Sequence, residues 1–287
     1  MEDSLVGRTL LGRYRVEALI GRGGMGEVYK AWDRKRSYYV ALKLLREDLA
    51  EDRFFAERFQ AEAATLARLS HRNIVTFYGL EQAGHLAFIV MEFVEGTTLR
   101  RRLHDLAGPL PLPEVLSICE QVCAALFYAH QEGLIHRDIK PGNIMLEPGG
   151  RALLSDFGIA KSIDAVASTH TTVGTPAYMA PEQWRGKGLS AQTDLYALGI
   201  VVYEMLTGRR PFLGDDPGLP GETVSDRVRY QHLHLPPPPP RQFNPDTPAP
   251  LQKVVLRALA KEPEDRQPDA LADSVPPFVG EVGRLVS

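Results

Sequence analysis

The stretch that decides how this chain folds and acts is HRDIKPGN, from His136 to Asn143. It brings a histidine, an arginine, an aspartate, a lysine and an asparagine together, and Pro141 and Gly142 disfavour a helix there. An apolar run precedes it and a strand-like stretch follows it. A polar but locally stiff loop of this kind is either a surface turn or part of a functional site, and the rest of the sequence has to distinguish the two.

The composition is that of a globular protein. The chain has 287 residues, of which 44% are hydrophobic and 24% charged, which suits one large domain or two lobes that share a cleft. A net charge of -3 provides no basic field, so we expect no nucleic-acid partner. Cys119 and Cys123 are spaced by four in a helical pattern, which predicts two buried thiols in a reducing cytoplasm.

No membrane span is predicted. The start of the chain lacks the pattern of a secretory signal, and the longest apolar stretch falls short of the roughly 20 residues that a span needs. We therefore expect a soluble, cytoplasmic chain.

The hydrophobic pattern divides the chain into two parts. Up to Phe93 it is mostly strand-like, with one clear helix over 52–70, and beyond Gly96 long helical periods dominate. This predicts a small sheet-rich lobe, residues 1–93, and a larger helical lobe, residues 94–287.

Three elements of the first lobe are candidates for a phosphate site: a glycine-rich stretch, a lysine, and a glutamate that would hold the lysine. Gly21, Gly23 and Gly26 lie between two strand-like runs, where glycines let a backbone approach phosphate oxygens, although a plain hairpin gives the same pattern. Lys43 has apolar neighbours in the next strand and either reaches solvent or meets an anion. Glu62 falls within an apolar helical stripe, where a carboxylate needs a partner, so we expect an ion pair with Lys43.

The second lobe offers candidate metal ligands. LLSDFG places Asp156 directly after an apolar strand, in a turn that could equally be a surface feature. Together with Asn143, this carboxylate supplies the oxygen ligands that Mg²⁺ prefers.

These motifs occur in the order found in eukaryotic-type protein kinases, which the sequence resembles from about Tyr14 to about Val279. The matching elements are GRGGMGEV, VALK, Glu62, HRDIKPGN, DFG, APE at 180–182 and DLYALG at 194–199. GGMGEVYKA, DFGIAK and GTPAYMAPEQ are particularly similar to bacterial serine/threonine kinases. The resemblance implies an α+β, two-lobed protein-kinase fold, with a small antiparallel sheet and one key helix in the N-lobe and a mainly helical C-lobe.

The resemblance also implies the reaction, which is transfer of the ATP γ-phosphate to serine or threonine hydroxyls of proteins, with Mg²⁺ or Mn²⁺ as the metal. Asp138 would orient the hydroxyl and accept its proton, and Lys140 would support the transferring phosphate. Asn143 and Asp156 would hold the metal. Thr175 matches the residue that lies beside Asp138 in the serine/threonine class.

A nucleotide pocket follows from the same matching. Lys43, held by Glu62, would reach the phosphates beneath the glycine flap. The expected nucleotide-binding residues are Gly21, Gly23, Gly26, Val28, Ala41, Lys43, Met91, Glu92, Val94 and Met145.

The loop between DFG and APE carries candidate phosphorylation sites at Thr169, Thr171 and Thr172. In this family an arginine such as Arg137 meets a phosphate on that loop, so we expect autophosphorylation there, with a homodimer as one route to it. A loop that is ordered without phosphorylation is the alternative.

Other residues are expected to be structural. His136 resembles a packing residue that stacks beneath Phe157. Glu182 is expected to pair with Arg266, and Asp194 to anchor the HRDIKPGN loop.

Four further features have simpler interpretations. We expect a stiff connector at Pro236–Pro240 rather than a recognition ligand, and a solvated helix start at Arg100–Arg102. Residues 214–230 are longer than is usual in the family and are expected to be a disordered surface insert or a docking segment. Gly142 stands where the family often has a larger residue, which would loosen the loop slightly.

The alternative function is a nucleotide-binding pseudokinase scaffold. Such a protein is expected to lack Lys43, Asp138, Asn143 or Asp156, and all four are present. A small-molecule phosphotransferase is disfavoured by the intact GTPAYMAPE segment at 174–182.

Overall fold

The computed structural model of the protein describes residues 5–23, 26–45, 66–84, 86–157 and 176–270. They belong to two compact units, the first up to Glu95 and the second from Gly96. The sequence had suggested a division at 93/94. Most of the helix predicted over 52–70, including Glu62, lies outside the described residues.

The first unit contains a six-stranded antiparallel sheet, with the strand order β1-β2-β3-β4-β6-β5. Its strands are β1 (Thr9–Leu10), β2 (Tyr14–Gly23), β3 (Gly26–Asp33), β4 (Tyr38–Leu44), β5 (Phe77–Ala83) and β6 (Leu86–Glu92).

One face of this sheet packs on a hydrophobic core. Val40 and Leu42 of β4 are buried in that core, and Leu44 packs against it. Because side chains alternate along a strand, Ala41 and Lys43 lie on the opposite face, as the sequence predicts.

The second unit is mainly helical. Its helices are α1 (Leu99–Leu106), α2 (Leu112–Gln131), α3 (Pro181–Trp184), α4 (Ala191–Thr207), α5 (Val224–His234) and α6 (Ala249–Ala258). Its small sheet consists of β7 (Thr97–Thr98), β8 (Ile144–Leu146) and β9 (Ala152–Leu154).

Helix α4 is the buried centre of this unit and lies very close to α6. A methyl group added at Gly199 would lie 3.0 Å from Ala258 Cβ and 3.0 Å from Leu259 Cδ2. Glycine is therefore needed here for close packing and not for an unusual backbone angle.

Helix α2 is the one described helix long and apolar enough to cross a membrane. A core helix has the same properties, and α2 buries Val115, Val122 and Leu126. Cys119 and Cys123 are also buried and unbridged, which confirms the two predicted thiols. Burial raises the pKa of Cys119 to about 12, so this thiol stays protonated.

The segment 214–230 is ordered, so the expectation of a disordered insert is wrong. Gly214 N donates to Gln231 Oε1 at 2.8 Å, and Arg227 Nε donates to Gly214 O at 2.8 Å. Thr223 caps the start of α5 through a 3.1 Å bond from Asp226 N. Hydrogen bonds to α5 thus hold the segment in place.

The proline run lies between two helices, as predicted. Two of the three arginines are solvated, but Arg102 is half-buried and pairs with Glu114 at 2.9 Å. Pro236–Pro240 lies between α5 and α6, and a short 3₁₀ turn begins at Pro240. Helix α1 starts at Leu99 behind the N-cap Thr98, and Arg100 and Arg101 are exposed on its first turn.

Candidate active site

Asp194, at the start of α4, anchors the loop from His136 to Asn143, which we call the HRD loop. Its buried carboxylate accepts hydrogen bonds from His136 N, Arg137 N and His130 Nε2, each at 2.8 Å. A carboxylate this buried is stable only with such partners. The predicted anchor is confirmed, and His130 is an additional partner that the sequence did not indicate.

Arg137 has a left-handed backbone, with φ at 67°. This conformation is uncommon for a residue other than glycine and costs about 1–3 kcal/mol, so surrounding contacts have to maintain it. The bond from Arg137 N to Asp194 is one of those contacts. This backbone conformation sets the direction in which the chain continues to Asp138.

Three residues predicted for the site meet around the Asp138 carboxylate. Lys140 Nζ lies 2.7 Å and Asn143 Nδ2 lies 3.0 Å from Asp138 Oδ2, and Asn143 Nδ2 also donates to Asp138 O at 2.8 Å. Asp138 is only 8% exposed. Two donors therefore fix the direction of a carboxylate that has little contact with water.

The same bonds orient Asn143 for a second role. Because its amide nitrogen is used by Asp138, its Oδ1 is the atom that remains to bind a cation. Asn143 O accepts from Ser155 N at 2.9 Å and from Ser155 Oγ at 3.2 Å. These bonds bring Asn143 next to the segment that carries Asp156.

Asp156 follows β9 and also has a left-handed backbone, with φ at 57°. Its carboxylate and the amide oxygen of Asn143 are both hard oxygen donors of the kind that Mg²⁺ prefers. The described part of the chain contains no cluster of three or more histidine, cysteine, aspartate or glutamate side chains suited to a metal. A two-residue set fits a magnesium ion that takes its other ligands from phosphate and water.

His136 is a packed structural residue, as predicted. Its ring lies 4.5 Å from that of Phe157, centroid to centroid. Nδ1 accepts from Asp138 N at 3.2 Å, so Nε2 carries the proton and donates to Ser155 O at 2.9 Å. Burial lowers the pKa of His136, which keeps the ring neutral.

In the first unit, residues predicted to contact the nucleotide share one face of the sheet. Val28 pairs with Gly21 on β2 and with Lys43 on β4, and Ala41 pairs with Met91 on β6. Residues directly opposite in antiparallel strands point to the same side. The fold thus brings these five together on the face opposite the core.

Gly23 pairs with Gly26 where β2 meets β3. A methyl group at Gly26 would overlap Leu44 O, and its φ of 132° also favours glycine. This glycine lets β3 pass close to the end of β4, the strand that carries Lys43.

The backbone after β6 has one group already in use. Glu92 N donates to Thr76 O at 2.8 Å. This N–H is therefore not available to adenine, and the backbone contacts implied for Glu92 to Val94 remain a prediction. Met145 lies in β8 of the second unit, between Thr98 and Leu153.

Several predicted residues lie outside the described ranges, so the structure does not test them. They are Glu62, Thr169, Thr171, Thr172 and Thr175. The pair between Lys43 and Glu62 remains a prediction.

The protein kinase domain family matches residues 14–271. This chain belongs to that family. It is 44% identical over 261 residues to serine/threonine-protein kinase PknB of Mycobacterium leprae, which covers 88% of this chain and 40% of the relative. It is 41% identical over 264 residues to serine/threonine-protein kinase PrkC of Bacillus subtilis, which covers 91% and 39%.

A crystal structure of the Mycobacterium tuberculosis PknI kinase domain resembles this protein kinase chain with a TM-score of 0.74 and 32% identity, over 97% of this chain and 98% of that one. The predicted resemblance to bacterial serine/threonine kinases and the predicted α+β kinase fold are confirmed. The chain spans about two-fifths of the length of PknB and PrkC.

A buried ion pair links two distant parts of this kinase domain. Arg266 Nη1 and Nη2 lie 2.8 and 2.9 Å from the two carboxylate oxygens of Glu182, and Thr193 Oγ1 donates to Glu182 Oε1 at 2.8 Å. Burial alone would raise the pKa of Glu182, but the hydrogen bonds and charge of Arg266 outweigh it and lower the pKa. The predicted pair is confirmed.

Proposed function

We propose that this chain transfers the γ-phosphate of ATP to serine or threonine hydroxyls of proteins. The observation that carries the proposal is the Asp138 carboxylate, nearly buried and held by Lys140 and Asn143. Phosphoryl transfer depends mainly on alignment and on stabilising charge. A fixed carboxylate suits a group that orients an incoming hydroxyl and accepts its proton.

Asn143 Oδ1 and Asp156 would hold Mg²⁺, with Mn²⁺ as a substitute. The metal would neutralise charge on the phosphate oxygens. Lys140, which is hydrogen-bonded to Asp138, would contribute positive charge to the transferring group. Thr175 would lie on the substrate side.

The first unit would bind the nucleotide. Gly21, Gly23 and Gly26 would cover the phosphates, and Lys43, paired with Glu62, would contact them. The adenine would be bound by Val28, Ala41, Met91, Met145 and the backbone of Glu92 and Val94. The shared sheet face of Gly21, Val28, Ala41, Lys43 and Met91 supports this assignment.

Replacing Lys43 with methionine tests the nucleotide assignment. We expect transfer of labelled phosphate from ATP to a generic basic protein to fall about 10²–10³-fold, because a preorganised charge is lost. The fold should be retained, since the core is on the other face of β4.

Lys35→Met is the matched control, because Lys35 is exposed in the turn between β3 and β4. It should transfer phosphate at the wild-type rate. A Lys43→Met protein as active as wild type would contradict the role of Lys43. Absence of nucleotide binding by the wild type in calorimetry with excess Mg²⁺ would refute the proposed function itself.

Phosphorylation of the threonines in the loop between DFG and APE is the second test. After incubation with Mg²⁺ and ATP, mass spectrometry should find phosphate on one or more of Thr169, Thr171 and Thr172, because Arg137 can form charge-assisted bonds to it. Inactive Asp138→Asn protein should remain unmodified when incubated alone. An active wild type with an unmodified loop would contradict this prediction.

A labelling rate per molecule that rises with protein concentration would support transfer within a homodimer.

We also propose a cytoplasmic location. ATP and protein substrates are available there, and the thiols of Cys119 and Cys123 would stay reduced. The same location applies if the chain is the cytoplasmic part of a membrane-anchored protein.

A further inference from the structure

Gln183, in α3, connects the APE segment to the HRD loop through one side-chain amide. Its Oε1 accepts from Ala180 N at 2.9 Å, which caps the first turn of α3. Its Nε2 donates to Arg137 O at 3.1 Å. A single planar group thus holds two backbone segments that are far apart in the sequence.

The bond from Gln183 Nε2 is made to Arg137, the residue of the HRD loop whose backbone is strained. Arg137 has a φ of 67°, its N–H is held by Asp194 at 2.8 Å, and its carbonyl is held by Gln183. A strained backbone persists only where its surroundings fix it from several sides. The carbonyl of Arg137 belongs to the same peptide group as the N–H of Asp138, so Gln183 fixes the plane from which the Asp138 side chain extends.

We propose that Gln183 is a positioning residue for Asp138. It touches neither the substrate nor the nucleotide in this proposal. It links the segment before α3 to the peptide group that carries Asp138, the residue proposed to orient the hydroxyl. The inference rests on the proposed kinase function, and it concerns the rate of transfer rather than nucleotide affinity.

Replacing Gln183 with glutamate tests the bond to Arg137 O separately from the bond to Ala180 N. Gln183→Glu keeps an oxygen that can accept from Ala180 N, but it replaces the donor to Arg137 O with a second oxygen. Two oxygens at that distance repel each other, so the peptide group before Asp138 should turn away. Gln183→Met removes both bonds while keeping a side chain of similar length.

We expect Gln183→Glu to lower kcat about tenfold or more, with the KM for ATP within about twofold of wild type, because orientation errors act on the transition state. Its unfolding temperature should stay near that of wild type, since the helix cap is retained. Gln183→Met should lower kcat similarly and also reduce stability.

The matched control is Gln192→Glu, at the start of α4. Gln192 Nε2 also donates to a backbone carbonyl, that of Pro268, at 2.6 Å, but it does not bond to the HRD loop. This variant undergoes the same chemical change and should retain wild-type kcat. If Gln183→Glu also retains wild-type kcat while Gln183→Met only loses stability, Gln183 is a helix cap and the proposal is overturned.

Amide hydrogen exchange gives a readout that does not depend on activity. The HRD loop should exchange faster in Gln183→Glu than in wild type or in Gln192→Glu. A wild type that transfers no phosphate would refute the proposed function, and exchange would then decide alone whether Gln183 holds the loop. Unchanged exchange in Gln183→Glu would overturn the positioning role even if the wild type is active.

Discussion

Replacing Asp138 with asparagine is expected to reduce phosphate transfer by about 10²–10⁴-fold, the range over which a positioned general base contributes. The substitution keeps the size of the side chain but removes its ability to accept a proton. In the wild type, one oxygen of Asp138 receives both Lys140 Nζ and Asn143 Nδ2. An amide can present its oxygen to these donors, so the loop should stay folded.

The measurement is transfer of labelled phosphate from ATP to the protein itself and to a generic basic protein, with kcat and KM determined separately. ATP affinity measured by calorimetry should remain within a few-fold, since Asn143 and Asp156 are intact. Asp246→Asn, at an exposed position of the second unit, is the control and should behave as wild type. Equal labelling by Asp138→Asn and wild type would refute the mechanism.

Replacing Arg266 with methionine is expected to destabilise the domain by about 3–5 kcal/mol, because it leaves a buried carboxylate without its partner. Both members of the pair are almost fully buried, at 1% exposure each. Arg266 also donates to the backbone carbonyls of Ala260, Gln192 and Lys261. The variant therefore leaves several acceptors unsatisfied, and chemical unfolding should show the loss as a lower midpoint.

Arg185→Met is the matched control for this stability test. Arg185 Nη1 pairs with Glu262 at 2.8 Å, but both side chains retain substantial exposure, 27% and 44%. Pairs of this kind contribute about 0–1 kcal/mol. Equal destabilisation by Arg185→Met and Arg266→Met would contradict the argument from burial.

The stability loss should depend on pH in a defined direction. In the wild type the folded-state pKa of Glu182 is lowered, so its stabilisation is present above the unfolded-state pKa and is lost as the pH falls through the folded value. Without Arg266, burial would instead raise the pKa of Glu182, and protonation would relieve the unpaired charge. The difference between Arg266→Met and wild type should therefore shrink as the pH falls from above to below about 4.3, the ordinary pKa of a glutamate.

Much of the site could be predicted because its signals are local. Lys43 lies on the face opposite Val40 and Leu42 because strand periodicity determines it, and the sequence shows that periodicity directly. The resemblance of the ordered motifs to those of protein kinases implies roles for Asp138 and Asn143. Their short separation in the sequence lets one loop bring them together.

The expectation that residues 214–230 are disordered was wrong for a physical reason. Glycine, proline and acidic residues suggest disorder when they are considered alone. The segment is fixed by Gln231 and Arg227, whose side chains in α5 return to the backbone of Gly214. Composition does not reveal such bonds, since it says nothing about where a neighbouring helix packs.

The sequence by itself determined the family, the two-part pattern of strands and helices, and the set of residues suited to phosphoryl transfer. Only the tertiary structure decided that His130 bonds to Asp194, the predicted anchor of the HRD loop, and that Gln183 bonds to the strained Arg137. His130 is separated from Asp194 by 64 positions, and Gln183 from Arg137 by 46. Bonds over such distances depend on how packed helices place the chain in space, and no local periodicity or motif spacing encodes them.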